Sequence, residues 1–291
     1  MKSLDAAKKA LISAIVFTFL WMCVPTETHA NAFFRKFSDI DGNFAESEIV
    51  MLSARGIIAG EGAKFFPAKS VTRAEFVKML VTALGYEEEA GDVRYYSGVF
   101  SDIDGHWAAG YITEAWELGI VKGEGNRFYP DRSINRAEMV AMLFRAFEPR
   151  TVGYGWENRQ VLKKFVDRAS IPSWAAPYAA HAVEEGLVKG TPEGRFEPLR
   201  PATRAEAAKV LTAMAAKKGY IYDFYGLITA VDDKAGEIRI IIDGNPASLP
   251  LSPEAAAYKG EKKTDVKAMS GNGAYIIVDN GRVVLIKSLE E

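Results

Sequence analysis

The chain has 291 residues, 48% hydrophobic and 25% charged, with a formal net charge of −2 and one cysteine, Cys23. That composition excludes a disordered chain and a strongly basic nucleic-acid binder. A lone cysteine excludes an internal disulfide framework and a thiolate metal cluster.

The first thirty residues read as a secretory signal. Lys2, Lys8 and Lys9 precede an apolar run over 10–24, and Thr28-His29-Ala30 closes it with small residues where a signal peptidase reads. The run is shorter than the ~20 residues that span a bilayer. Met22 stands before Cys23, where a lipoprotein site needs a small side chain. Cleavage near Asn31 removes three basic and two acidic residues, leaving 33 against 36 and no cysteine. No later apolar run is long enough for a transmembrane helix.

One unit then occurs three times. Copy two runs Phe100-Ser101-Asp102-Ile103-Asp104-Gly105-His106-Trp107-Ala108, Gly119-Ile120-Val121-Lys122-Gly123, Phe128-Tyr129-Pro130 and Asn135-Arg136-Ala137-Glu138. Copy one repeats it 63 positions earlier without a gap, from Phe37 and Asp39 through Phe44-Ala45, Gly56-Ile57-Ile58-Ala59-Gly60 and Phe66-Pro67 to Thr72-Arg73-Ala74-Glu75. Copy three runs from Phe165 and Asp167 through Trp174-Ala175, Gly186-Leu187-Val188-Lys189-Gly190 and Phe196-Glu197-Pro198 to Thr203-Arg204-Ala205-Glu206, with small insertions. Self-similarity at this period marks a repeat architecture.

Each copy predicts helix, loop, helix. In copy two the first helix is expected from about Trp107 to Leu118, with Gly119 as its stop. Thr72, Asn135 and Thr203 are N-caps of the second helix. Glu75 and Glu206, three residues after the threonines, complete capping boxes. Apolar stripes at the 3.6-residue period follow, such as Phe76, Met79, Leu80, Ala83 and Leu84. Arg73, Arg136 and Arg204 need another reason, because a cation in the first helical turn opposes the macrodipole. Two accounts stand: a structural salt bridge to Asp39, Asp102 or Asp167, or an anion site made by a guanidinium fork at a helix start.

These residues resemble the S-layer homology (SLH) motif, over roughly 35–217. The resemblance implies a pseudo-threefold helical bundle with grooves between neighbouring repeats. It implies non-covalent anchoring of an exported protein to the bacterial cell wall. The ligand would be an anionic, pyruvylated secondary cell-wall polysaccharide or a modified peptidoglycan. The groove positions would be Arg73, Arg136 and Arg204; Asp39, Asp102 and Asp167; Phe44, Trp107 and Trp174; and the turns Lys122-Gly123 and Lys189-Gly190. Copy one departs from the pattern, with Phe44 for Trp and Ala59 for Lys. Arg73→Lys is therefore expected to matter less than Arg136→Lys, if each groove draws mainly on one copy.

The segments 86–98 and 148–163 join the copies, and their Tyr95, Tyr96, Tyr154 and Trp156 predict packing across the bundle. Beyond residue 220 the period changes. Strands are expected over 221–231, 236–243, 275–278 and 283–287, the last two flanking an Asn280-Gly281 hairpin turn. Ser252-Pro253-Glu254 predicts the cap of a short helix.

The expected organisation is a signal (1–30), three SLH repeats (31–98, 99–163, 164–217) and a small all-β domain (220–291) of open role. The expected fold is mainly α. Removing the β domain is expected to leave wall binding intact while abolishing assembly or partner contact. Only His106 and His181 remain after cleavage, at unrelated repeat positions, and no nucleophile–base set or metal-ligand spacing occurs. An enzyme, a cofactor and a metal site are not expected.

Overall fold

The computed structural model describes residues 37–91, 98–148, 159–219 and 221–288. The expected signal segment lies outside them, as do Tyr95, Tyr96, Tyr154 and Trp156.

The first helices of the three copies are α1 (Glu46–Ala54), α4 (Ala109–Glu117) and α6 (Ala176–Glu184). Gly56, Gly119 and Gly186 stop them at positive φ (69°, 72° and 68°), which glycine adopts at no steric cost. The second helices are α2 (Arg73–Ala83), α5 (Arg136–Phe147) and α7 (Arg204–Lys218), and each opens with a complete capping box. Asn135 makes the box as the two threonines do, its amide oxygen accepting from the Glu138 N–H at 2.9 Å.

The copies close on each other through backbone. The residue before each N-cap is fully buried, and the three form a cycle. Val71 N–H donates to Ala202 O, Ala202 N–H to Ile134 O and Ile134 N–H to Val71 O, at 2.9–3.0 Å. A cycle of three such bonds defines a pseudo-threefold axis. A helix start leaves N–H donors without intrahelical partners, and here the next copy supplies the acceptors. Arg73 and Ala74 donate to Arg132 O and Pro130 O; Arg136 and Ala137 to Arg200 O and Pro198 O; Arg204 and Ala205, completing the ring, to Lys69 O and Pro67 O.

The joining segments cover first helices. Helix α3 (Glu87–Gly91) packs on α4, and a 3-10 turn at Arg159–Lys164 packs on α6.

Six strands follow: β1 (Phe224–Asp232), β2 (Glu237–Ile242), β3 (Asn245–Lys259), β4 (Lys262–Thr264), β5 (Gly273–Asp279) and β6 (Arg282–Ser288). Their order is β2-β1-β5-β6-β3-β4, and pairing of β2 with β3 closes the sheet into a small barrel around Ile228, Ile238, Ile240, Ile276 and Ile286. Asn280 and Gly281 take φ of 49° and 72°, as the predicted hairpin turn requires.

The short helix expected at 252–254 is not there. This stretch lies within β3, where the register against β6 shifts between Leu251 and Ala256. Such an irregularity tolerates Pro253, which could not donate to a regular ladder. Among the described residues helix amounts to 35% against 24% strand, so "mainly α" fits the repeats and not the described residues as a whole.

The barrel and the repeats belong to one compact unit, Phe33–Glu291. Tyr258, Ile277, Val284 and Leu285 join the same apolar core as Ile49, Met51 and Leu52. All nine residues of α1 are buried, including Glu46, Ser47 and Glu48. Their polar atoms meet the barrel. Lys263 reaches Glu46 at 2.6 Å and Asp41 at 2.7 Å, Tyr258 Oη contacts Glu46 at 3.3 Å, and Lys287 Nζ donates to Ser47 at 3.0 Å. Burial lowers the pKa of Lys287, with Glu48 acting against that shift. Burial, with Glu48 and Tyr275 adding to it, pushes the Tyr222 hydroxyl up to about 12.

Candidate functional site

The motif arginines meet the aspartate-held loops and the turns at the three junctions between copies, and each junction is shared. The motif arginine comes from one copy; the loop and turn it meets come from the next. Arg73 Nε donates to Phe128 O of copy two at 2.8 Å and Nη1 to Glu138 at 3.0 Å, with its guanidinium 4.5 Å from the Phe128 ring centre. Arg136 repeats this in copy three, donating to Phe196 O at 2.9 Å and to Glu206 at 2.8 Å. Arg204 returns to copy one, donating to Phe65 O at 2.8 Å and Ala59 O at 2.6 Å, with the Phe65 ring centre 4.4 Å away.

The salt bridge from these arginines to Asp39, Asp102 or Asp167 is not made. Where a carboxylate partner is present it is the capping-box glutamate of the next copy, Glu138 or Glu206, further held by Arg132 or Arg200. Sequence alone could not pair Arg73 with Glu138, because Glu138 stands in another copy, three residues after its own N-cap. The backbone N–H groups of the first helical turn are also engaged, so an anion finds no free donors at the helix start.

The three aspartates have a different task. Asp39 accepts from the Phe65 and Phe66 N–H groups, Asp102 from Phe128 and Tyr129, and Asp167 from Phe196 and Glu197, every bond at 2.8 Å. The second residue of each pair has positive φ (58°, 59° and 54°), unusual for a side chain larger than glycine. A bidentate carboxylate thus holds the loop in a conformation it would otherwise resist. Burial opposes the aspartate charge, but the backbone donors prevail and keep all three pKa values below the ordinary one.

The glycines of the turns are packing residues. A Cβ on Gly60, Gly123 or Gly190 would collide with the ring of Phe37, Phe100 or Phe165.

What remains open to a ligand is aromatic and basic. Phe44, Trp107 and Trp174 are 58%, 57% and 50% exposed, while the alanines that follow them are at 0–1%. Lys122 and Lys189 are exposed at matching turns, and so is Ala59 in copy one. Because the junctions are shared, Ala59 of copy one falls beside Arg204 and not beside Arg73. His106 Nδ1 accepts from the Ala108 N–H at 3.1 Å, and its Nε2 lies 3.2 Å from Asp131. This histidine orders the loop before Trp107, as Asn43 does before Phe44 by accepting from Ala45 N–H at 3.0 Å.

Three helix-loop-helix units thus close into a pseudo-threefold ring, each motif arginine packed against a loop of the next copy. The family model for the S-layer homology domain matches residues 36–77, 99–140 and 164–208, so the chain carries three tandem SLH domains. It is similar to an amylopullulanase of Thermoanaerobacterium thermosulfurigenes, 39% identical over 64% of this chain and 10% of that protein. It is similar to the exoglucanase XynX of Acetivibrio thermocellus, 39% identical over 62% of this chain and 16% of that protein. The S-layer protein EA1 of Bacillus anthracis is 27% identical over 88% of this chain and 28% of that protein, a match that reaches beyond the repeats. The chain thus spans between a tenth and about a quarter of the length of these relatives. The SLH domains and the S-layer relatives support attachment of a surface protein to the cell wall. No helix among the described residues is long and apolar enough to cross a membrane.

Proposed function

We propose that the chain is a non-catalytic anchor that holds an exported protein on the wall by binding an anionic, pyruvylated secondary polysaccharide or a modified peptidoglycan. The carrying observation is the exposure of Phe44, Trp107 and Trp174 at matching places in three copies. Packing gives no reason to leave three large aromatics in water, whereas an aromatic face suits a sugar ring. Trp107 and Trp174 stack on the sugar, and Lys122 and Lys189 supply positive charge toward its carboxylate. The motif arginines and aspartates build the groove walls.

Co-sedimentation of the full chain with purified sacculi tests this. The double variant Trp107→Ala, Trp174→Ala should lose about tenfold or more in affinity, the scale of loss when aromatic contact residues are truncated, with an unchanged melting temperature. Pelleting that survives the double variant, or wild-type chain that stays in solution, refutes the reading.

A second reading is favoured by the length of the EA1 match: the barrel takes part in lattice assembly. Light scattering of the full chain at rising concentration checks it. A strictly monomeric chain at every concentration counts against assembly.

A further inference from the structure

The three repeats share a skeleton but not a charge. Residues 37–91 hold five Lys or Arg against nine Asp or Glu, and residues 98–148 hold five against eight. Residues 159–219 hold eleven against six, so copy three alone is net positive, by five. Internal pairing does not consume this excess. The ion pairs within copy three use Arg200 and Lys217, and Lys209 pairs outside it with Glu48 of copy one and Glu261 of the barrel. Lys163, Lys164, Arg168 and Arg195 are all exposed, and among the described residues none has a carboxylate at ion-pair distance.

These four cations lie on two adjoining segments. Val166 N–H donates to Gly194 O at 2.9 Å, and Asp167 accepts from the Phe196 and Glu197 N–H groups, so 163–168 runs beside 193–197. Three acidic groups lie on these segments. Asp167 is committed to those backbone donors, Glu193 is hydrogen-bonded to Thr191, and Glu197 pairs with Arg200. Arg195 is partly offset by Asp167 and Glu193, and the face is a net basic strip beside the junction where Arg136 meets Phe196.

We propose that this face of copy three docks a strand of anionic secondary polysaccharide attached to the wall. The inference rests on the wall-anchoring reading and names the surface that carries the polymer beyond its groove-bound unit. Several spaced cations suit a polymer with a negative charge on every repeating unit. Peptidoglycan stem peptides carry amines as well as carboxylates and match such a strip less well. Attraction of this kind acts mainly on association and weakens with salt.

The test uses the full chain and sacculi bearing a pyruvylated secondary polymer, before and after hydrofluoric acid strips that polymer from the peptidoglycan. Lys164→Glu with Arg168→Glu should weaken binding to intact sacculi about tenfold at low salt. Lys234→Glu with Lys262→Glu makes the same charge change at exposed barrel positions and should stay within about twofold of wild type. The gap between the two doubles should close near ~0.5 M salt, and both should keep the wild-type melting temperature. Equal effects of the two doubles overturn the proposal. So does a gap that persists on stripped sacculi, which would make peptidoglycan the occupant. Wild-type chain that fails to pellet at low salt overturns the anchoring reading itself, and this inference with it.

Discussion

Arg204 differs from Arg73 and Arg136 in what balances its charge. Arg73 and Arg136 each contact a carboxylate, at 3.0 and 2.8 Å, whereas Arg204 donates to the carbonyls of Phe65 and Ala59. Arg136→Lys loses the planar fork that reaches Phe196 O and Glu206 together. It should cost about 1.5–3 kcal/mol, the range for hydrogen bonds to charged groups, and lower the melting temperature in calorimetry. An unchanged temperature with weakened wall binding would restore the anion-site account. Ala59 is exposed beside Arg204, so Ala59→Glu supplies the missing carboxylate. It should raise stability by about 0.2–1 kcal/mol, read as a higher denaturant midpoint. Asp39, Asp102 and Asp167 set the acid limit. Their folded pKa values lie below the unfolded value of 3.8, so their contribution is full above that pH. It is lost as pH falls from about 3.8 through the lower folded values. Asp102→Asn should flatten the acid limb of a stability–pH profile; a limb identical to wild type would count against the role.

At the scale of elements, α1 and the barrel depend on each other. Copy one's first helix carries Glu46, Ser47 and Glu48, residue types that mostly face solvent, yet all are buried. At the matching end of α4, Trp116 is 48% exposed, whereas Ser53 of α1 is at 1%. Truncation after Gly219 should therefore do more than remove an appendage. It bares Ile49, Met51 and Leu52, leaves Glu46 without Lys263, and takes Glu261 away from the Lys209 that pairs with Glu48. Hydrogen exchange should show protection falling in α1 well before α4. Equal protection in both helices would mean that the barrel is a free-standing module, as the sequence reading had it. Strand β3 was missed because Pro246, Pro250 and Pro253 with Ala255-Ala256-Ala257 look unlike a strand. Pairing with β2 on one part and β6 on the other overrides that local preference. The Asp243-Gly244 turn, at φ of 50° and 80°, was the available signal that a strand returned there.

At the scale of the molecule, the repeats make a ring and not an open array. In a solenoid each repeat contacts only its neighbours in sequence. Here copy three donates through Arg204 and Ala205 to copy one, and Lys209 of α7 bridges Glu48 of α1 and Glu261 of the barrel. Unfolding by urea should be a single transition with coincident tryptophan fluorescence and circular dichroism. Separate midpoints would show the copies melting independently.

The sequence by itself determined the triplicate skeleton, the six repeat helices, the caps and stops that bound them, most barrel strands and the SLH resemblance. Those features rest on local chemistry: capping donors, glycine at positive φ and apolar periodicity all act within a few residues. Only the tertiary structure decided that Arg73 belongs with Glu138, that the aspartates hold loops, that Ala59 of copy one falls beside Arg204, and that the barrel buries α1. Each of these is a contact between residues far apart in the chain. A repeated motif names such residues without naming their partners, because every copy offers the same candidates and only ring closure selects among them.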